Sequence, residues 1–274
     1  MIYVYTIPYP TEIDKDDFIG LFFEIDNEGI EEKETEMEIY LTDEQVGTNE
    51  ALINELCEDY KVSYIKKAME NKNWNEQWES SFQPITIDDF VQVRATFHAA
   101  NTNVQHEIII EPKMSFGTGH HATTAQMMQL MQQIDFTNKS VLDIGSGTGI
   151  LAILADKLGA DECIAIDNDE WCYTNALENI NLNNSKNIKV VLGDSTAIPN
   201  KSFDIILANI HRNFLVENMQ LLSKHTKPDG YLLVSGFYTT DEAIILESAM
   251  AQGLVANYRS TQDNWSCIVL KKNL

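Results

Sequence analysis

Val141-Leu142-Asp143-Ile144-Gly145-Ser146-Gly147-Thr148-Gly149-Ile150-Leu151-Ala152 is the stretch that decides the fold. Its first four residues read as a short buried strand, and ILAILADKLG reads as a helix closed by Gly159. Glycines between a strand and a helix let the backbone come close to a ligand, beside the free N–H groups of the helix's first turn. The dinucleotide fingerprint G-x-G-x-x-G would need a glycine at 150, where Ile150 stands. The pattern is instead D-x-G-x-G-x-G, with Asp143 ahead of Gly145 and Gly147. A carboxylate there suits a ligand bearing an amino group better than one bearing a pyrophosphate.

Downstream, strands and helices alternate. ECIAID, NIKVVLGD, FDIILAN and GYLLVSG read as strands, and EWCYTNALENINL, FLVENMQLLSKH and DEAIILESAMAQ as helices. The last two strands, LVANYRS and SCIVLKK, are joined tightly enough to pair antiparallel. Such an order calls for a largely parallel sheet covered on both faces, with ligands at the carboxyl ends of its strands. Asp167 ends the second strand, 22 residues past Gly145, where a carboxylate can accept both hydroxyls of a ribose. Asp194 ends the third, where a carboxylate or a nearby amide can meet an adenine amino group. Taken singly, each aspartate also fits a turn or a helix cap. Together with the glycines they describe contacts to an amino acid, a ribose and an adenine without a phosphate clamp. That ligand is S-adenosylmethionine. The set resembles the class I methyltransferase fold, an α/β architecture with a doubly wound, mostly parallel seven-stranded sheet.

Upstream, the pattern predicts strand 2–7, helix 14–25, strands 29–33 and 35–42, helix 47–59 and strand 61–67. Met37, Ile39 and Leu41 alternate as in a half-buried strand, whereas Ala51, Leu52, Ile53, Leu56 and Cys57 recur at helical spacing. The βαββαβ order implies a small, separate α+β domain of ferredoxin-like type. We expect residues 1–70 to form that domain, 71–84 a linker, and 85–274 the S-adenosylmethionine-binding domain. Trp74 and Trp78, one helical turn apart, are expected to staple the linker onto a neighbour by packing. ITIDDFVQVRA and HEIIIEP read as two further strand-like runs.

Between those runs and the glycine loop lies Met114-Ser115-Phe116-Gly117-Thr118-Gly119-His120-His121-Ala122-Thr123-Thr124. With Ala208-Asn209-Ile210, the connector tryptophans and the acidic N-terminal domain, it resembles the ribosomal protein L-eleven methyltransferase (PrmA) family over essentially the whole chain. The family loop is F-G-T-G-x-H-P-T-T. Here Ala122 replaces its proline, which frees φ, and His120 fills a position that is often threonine. The resemblance implies that Thr124, Gly145, Asp167 and Asn209 contact the cofactor, beside the Gly147 and Asp194 read from their strand ends. It also implies that Phe116 and Thr118 sit in a loop closing over the cofactor and facing an incoming amine. The implied reaction is methylation of lysine side chains and an N-terminal amine on a large-subunit ribosomal protein, with Asn209 positioning the amine. Simpler roles exist for several of these residues. Thr123 and Thr124 precede AQMMQLMQQI and fit N-caps, Phe116 fits a core position, and His121 fits loop hydrogen bonding better than proton transfer. His120 and His121 lack a third ligand at suitable spacing, so no metal is expected.

The chain has 274 residues, 44% of them hydrophobic, and 19 Lys+Arg against 42 Asp+Glu give a net charge of −23. Residues 1–72 hold 6 Lys+Arg and 19 Asp+Glu, a net of −13. Such a surface repels nucleic acid and anionic membranes and draws in a basic protein, although acidity also serves solubility. No run approaches the roughly 18 apolar residues of a membrane span, and MIYVYTIPYPTEIDKDD does not read as a signal peptide. Cys57, Cys163, Cys172 and Cys267 are scattered and read as reduced thiols of a cytoplasmic protein, expected to be a monomer. A small-molecule or other-protein N-methyltransferase is one alternative, and a catalytically inactive cofactor-binding module another. Ile210-His211-Arg212 after Asn209 lacks the paired prolines of enzymes that methylate glutamine amides or base amines.

Overall fold

The computed structural model describes residues 2–22, 25–69, 82–111 and 117–273. Trp74, Trp78 and Phe116 lie outside the described residues, as do residues 71–81 of the expected linker. The chain forms two compact units, Met1–Ser81 and Phe82–Leu274.

In the first unit the elements are β1 (Ile2–Pro8), α1 (Lys15–Gly20), β2 (Gly29–Glu32), β3 (Glu36–Thr42), α2 (Asp43–Asp59) and β4 (Ile65–Met69). The strands lie in the order β2-β3-β1-β4, each neighbouring pair antiparallel, which is the arrangement of a split βαβ sandwich. Alternation in β3 drives Met37, Ile39 and Leu41 into a core with Phe18, Phe22 and Ile53. Full burial of each such side chain contributes about 1.5–3 kcal/mol. Three boundaries differ from the sequence expectation. Helix α1 stops at Gly20 because the Leu21 and Phe22 amides bond back three residues, to the Phe18 and Ile19 carbonyls. This tight turn lets Phe22 and Ile25 enter the core. Helix α2 begins four residues early, on a capping box: the Gln45 amide donates to Thr42 Oγ1 and the Thr42 amide to Gln45 Oε1. Strand β4 begins late because Lys61 takes a φ of 53° and the Val62 amide closes onto the Cys57 carbonyl.

In the second unit a three-stranded sheet comes first: β5 (Ile85–Ile87), β6 (Val91–Ala95) and β7 (His106–Ile110). β5 runs antiparallel and β7 parallel to β6. After α3 (Ala122–Met131) the chain alternates β8 (Ser140–Ile144), α4 (Ile150–Lys157), β9 (Glu162–Asp167), α5 (Glu170–Leu182) and β10 (Ile188–Leu192). It continues through β11 (Phe203–Asn209), α6 (Arg212–His225), β12 (Thr226–Tyr238), α7 (Glu242–Met250), β13 (Leu254–Gln262) and β14 (Trp265–Lys272). The seven strands lie in the order β10-β9-β8-β11-β12-β14-β13. β10 to β12 are parallel, and β14 runs antiparallel to both β12 and β13. Side chains alternate between two buried layers. Ile205 and Leu207 pack with Met127, Leu151 and Leu154, whereas Ile206 and Ala208 pack with Leu215, Met219 and Ile245. Strand order reverses between β8 and β11, so a switch point opens where β8 delivers Gly145 and β11 delivers Asn209. Among the described residues no helix is long and apolar enough to cross a membrane.

Candidate functional site

The glycine loop forms one wall of the switch point. Gly145 takes a φ of 68°, and a Cβ built there would lie 2.6 Å from Ile210 Cγ1, so the β8 and β11 ends meet only because this residue lacks a side chain. The Gly145 and Ser146 amides both donate to the Ile166 carbonyl, tying the loop to β9. Asp167, at the end of β9, accepts from the Gly147 amide at 2.8 Å and from the Asp169 amide at 3.1 Å. Its own carbonyl accepts from Gly193, which draws in the loop after β10. Ser146 Oγ is buried with no hydrogen-bond partner among the described residues.

Asp143 is the fourth residue of β8. It is 1% exposed, and its Oδ2 accepts from the Ala152 amide at 3.2 Å. Ala152 belongs to the first turn of α4, whose N-cap is Gly149 and offers no side-chain bond. Asp143 therefore stabilises the helix start from beneath. Its Oδ1 has no partner among the described residues. Burial, with a smaller push from Asp167, raises its carboxyl to about 7 despite the Ala152 bond. Two carboxyl groups under one loop make a poor cradle for a diphosphate and a good one for a cationic ligand.

β10 ends at Leu192, and Asp194 lies beyond it, exposed, capping a short 3-10 turn. Its Oδ1 accepts from the Thr196 amide at 2.8 Å and hydroxyl at 2.6 Å, bonds that hold its carboxyl below the usual range. Both bonds use Oδ1, and the side chain stays exposed beyond the β10 end, where the sequence reading placed an adenine contact.

The segment from Gly117 to Thr124 forms the second wall. Gly117 has a φ of 103°, and its carbonyl accepts from Thr148 Oγ1 at 2.6 Å, so the two walls are joined directly. Thr118 Oγ1 lies 3.1 Å from His120 Nδ1, and His120 Nε2 lies 3.0 Å from the Gln83 carbonyl. A carbonyl only accepts, so Nε2 carries the proton and Nδ1 takes the Thr118 hydroxyl proton. The cap of α3 is His121, whose Nδ1 accepts from the Thr123 amide, and not Thr123 or Thr124. Thr124 is thereby released from capping. Its Oγ1 accepts from Asn209 Nδ2 at 3.2 Å, which brings the two residues together across the cleft. Asn209 Oδ1 is buried with no hydrogen-bond partner among the described residues. Thr124, Gly145, Gly147, Asp167 and Asn209 are thus gathered by bonds and close packing, with Thr118 on the adjoining wall.

Two aromatic residues were not foreseen. Trp265 stacks on Tyr238 at 4.2 Å between ring centroids and meets His121 edge to face at 4.8 Å. Tyr238 and Trp265 are cross-strand partners at the end of the β12–β14 pair. Only the antiparallel register could have revealed them. Among the described residues no group of three His, Cys, Asp or Glu side chains is placed to hold a metal.

The buried, partnerless Asn209 carbonyl and Ser146 hydroxyl, the close approach at Gly145 and the carboxylate of Asp167 fit a ligand with N–H and O–H donors and positive charge. S-adenosylmethionine is such a ligand. The family profile described as ribosomal protein L11 methyltransferase (PrmA) matches residues 12–273. The chain is 42% identical over 253 residues to the ribosomal protein L11 methyltransferase of Porphyromonas gingivalis, covering 89% of this chain and 86% of that one. Identity to the Phocaeicola vulgatus protein of the same name is also 42%, over 212 residues, covering 77% and 75%. Among solved structures, a ribosomal protein L11 methylase from Lactobacillus delbrueckii subsp. bulgaricus superimposes with a TM-score of 0.65 at 25% identity. That match covers 70% of this chain and all of the other. A Pyrococcus furiosus methyltransferase, at 20% identity, TM-score 0.53 and coverage of 61% and 90%, shares the fold.

Proposed function

The chain belongs to the ribosomal protein L11 methyltransferase (PrmA) family, and from that premise we propose that it methylates amino nitrogens of ribosomal protein L11, on lysine side chains and the N-terminal amine. When bound, S-adenosylmethionine supplies an electrophilic methyl group on a sulfonium, which a free amine can take in one displacement. The chain's own residues have to hold that ligand, free the amine's lone pair and aim it.

We assign the holding to Gly145, Ser146, Gly147 and Asp167 on one wall and to Thr118 and Thr124 on the other. The aiming falls to Asn209. Its Nδ2 is spent on Thr124, which fixes the amide plane and leaves Oδ1 as an acceptor for an amine N–H. That partnerless carbonyl at the switch point is the observation that carries the reading. A free lysine ammonium holds its proton up to about pH 10.4 and has no lone pair. The proton leaves to water, and a cleft meant for a cationic ligand disfavours a second positive charge. Trp265, edge to face with the His121 cap, and Tyr238 stacked on it offer aromatic surface to the incoming side chain.

The first unit is assigned to recruitment. Residues 1–72 carry a net of −13, and a basic protein substrate is steered by such a field. The chain is taken to work as a monomer in the cytoplasm, without nucleic-acid contact. Labelled methyl transfer to purified L11 tests the assignment. The wild type should label L11, and Asn209→Ala should lower kcat by about 10²-fold with a much smaller change in cofactor Kd. Equal losses in kcat and cofactor binding would reduce Asn209 to a cofactor contact.

A further inference from the structure

Asparagines at 175, 179 and 183 recur one turn apart along one face of α5 and its C-cap. Their amides take the place of a neighbouring strand along the end of β7. Asn183 accepts from the Ile109 amide at 3.0 Å and donates to the Ile109 carbonyl at 2.6 Å. Asn175 Nδ2 donates to the Glu111 carbonyl at 3.2 Å, and the Glu111 amide donates to Asn179 Oδ1 at 2.7 Å.

Asn179 differs from the other two in where its second bond goes. Its Nδ2 leaves β7 and donates to the Thr148 carbonyl, at 2.9 Å, inside the glycine loop. Thr148 Oγ1 in turn donates to the Gly117 carbonyl. Asn179 and Thr148 are both fully buried. Beside them, a Cβ on Gly149 would stand 3.3 Å from Ala176 Cβ, so α5 sits close against the loop as well. A single planar amide thus fixes Glu111 and Thr148 to each other, and Thr148 passes that constraint to Gly117. No other residue type of this size offers an acceptor and a donor together: aspartate lacks the donor and leucine lacks both.

We propose that Asn179 is a positioning residue for the cofactor cleft, setting through Thr148 the distance between the glycine loop and the Gly117–Thr124 wall. The proposal rests on the reading that the cofactor lies between those walls. Asn183 supplies the internal control, because it grips β7 through the same kind of amide pair and makes no bond to the glycine loop.

The test is calorimetric binding of S-adenosylhomocysteine to the full chain, with melting temperature recorded for each variant. Asn179→Asp keeps the acceptor and loses the donor, and Thr148→Val removes the hydroxyl link from the other end. Each should raise Kd by about tenfold or more, and the double variant should be no weaker than the worse single one, because both cut the same chain of bonds. Asn183→Ala should lower the melting temperature and leave Kd within about twofold of wild type. Unchanged Kd in both Asn179→Asp and Thr148→Val overturns the proposal. So does a Kd in Asn183→Ala raised as much as theirs, which would mean that any loosening of β7 has the same effect. Failure of the wild type itself to bind overturns the cofactor reading first, and the two failures are therefore distinguishable.

Discussion

The two units differ in how many buried polar atoms they leave unpaired and where. In the first, Tyr9 Oη is the partnerless buried side-chain atom found among the described residues. In the second there are seven among the described residues, and three of them, Asp143 Oδ1, Ser146 Oγ and Asn209 Oδ1, lie around one switch point. An isolated buried polar atom costs about 1–3 kcal/mol, so several in one place mark a site where stability is given up for binding. Charge is divided in the reverse sense: residues 1–72 carry −13 of the total −23. One unit presents a field to a distant partner. The other keeps unsatisfied groups for a ligand at hydrogen-bond range. On the proposed reading, capture and chemistry are divided between separate cores and can be lost separately.

The largest effect should come from removing Met1–Ser81. Methylation of L11 at low substrate concentration should fall by more than ~100-fold, with cofactor Kd within about twofold of the full chain. Retained methylation would break the division between the units. A smaller effect is expected at Asp143. Its folded carboxyl, near 7, titrates above the unfolded value of about 3.9, so the folded chain binds more protons between those limits. Wild-type stability from this group is therefore lost as pH rises from about 4 to about 7. Asp143→Asn lacks that loss, and relative to wild type it should gain on the order of 2 kcal/mol between pH 5 and pH 8 in denaturant titrations. Parallel pH curves for the two proteins would count against a strained carboxyl under the loop. The smallest effect is at Ala122, the first residue of α3. His121 before it has φ −74° and ψ 136°, which a residue preceding proline readily adopts. Ala122→Pro should stabilise by about 0.4–1 kcal/mol, a rise of a few degrees in Tm. A lower Tm would mean that the loop needs the freedom that alanine allows.

Much of this was legible in the residues themselves. Strand periodicity located β8, β9 and β11, and the glycines between β8 and α4 pointed to the cleft. Asp167 was singled out as a strand-end carboxylate, and Asn209 through the family motif Ala208-Asn209-Ile210. Less legible were the polar atoms that the fold gives to neighbours. Asp143 is taken by Ala152 and Asp194 by Thr196, within a few residues, yet sequence spacing does not say which oxygen a fold will use. His121 displaced the two threonines as the α3 cap, and Thr124 was then available to a residue 85 positions away. The Tyr238–Trp265 stack depends on strand register. The asparagines of α5 had a visible four-residue spacing, but their partner, the edge of β7, was not.

Mass spectrometry of L11 after reaction with the purified chain and S-adenosylmethionine tests the central claim most directly. The account predicts mass increments of whole methyl groups on lysine side chains and the N-terminal amine, accumulating about 10²-fold more slowly when Asn209 is replaced by alanine. Unmodified L11, in the presence of a chain that binds the cofactor, would contradict it.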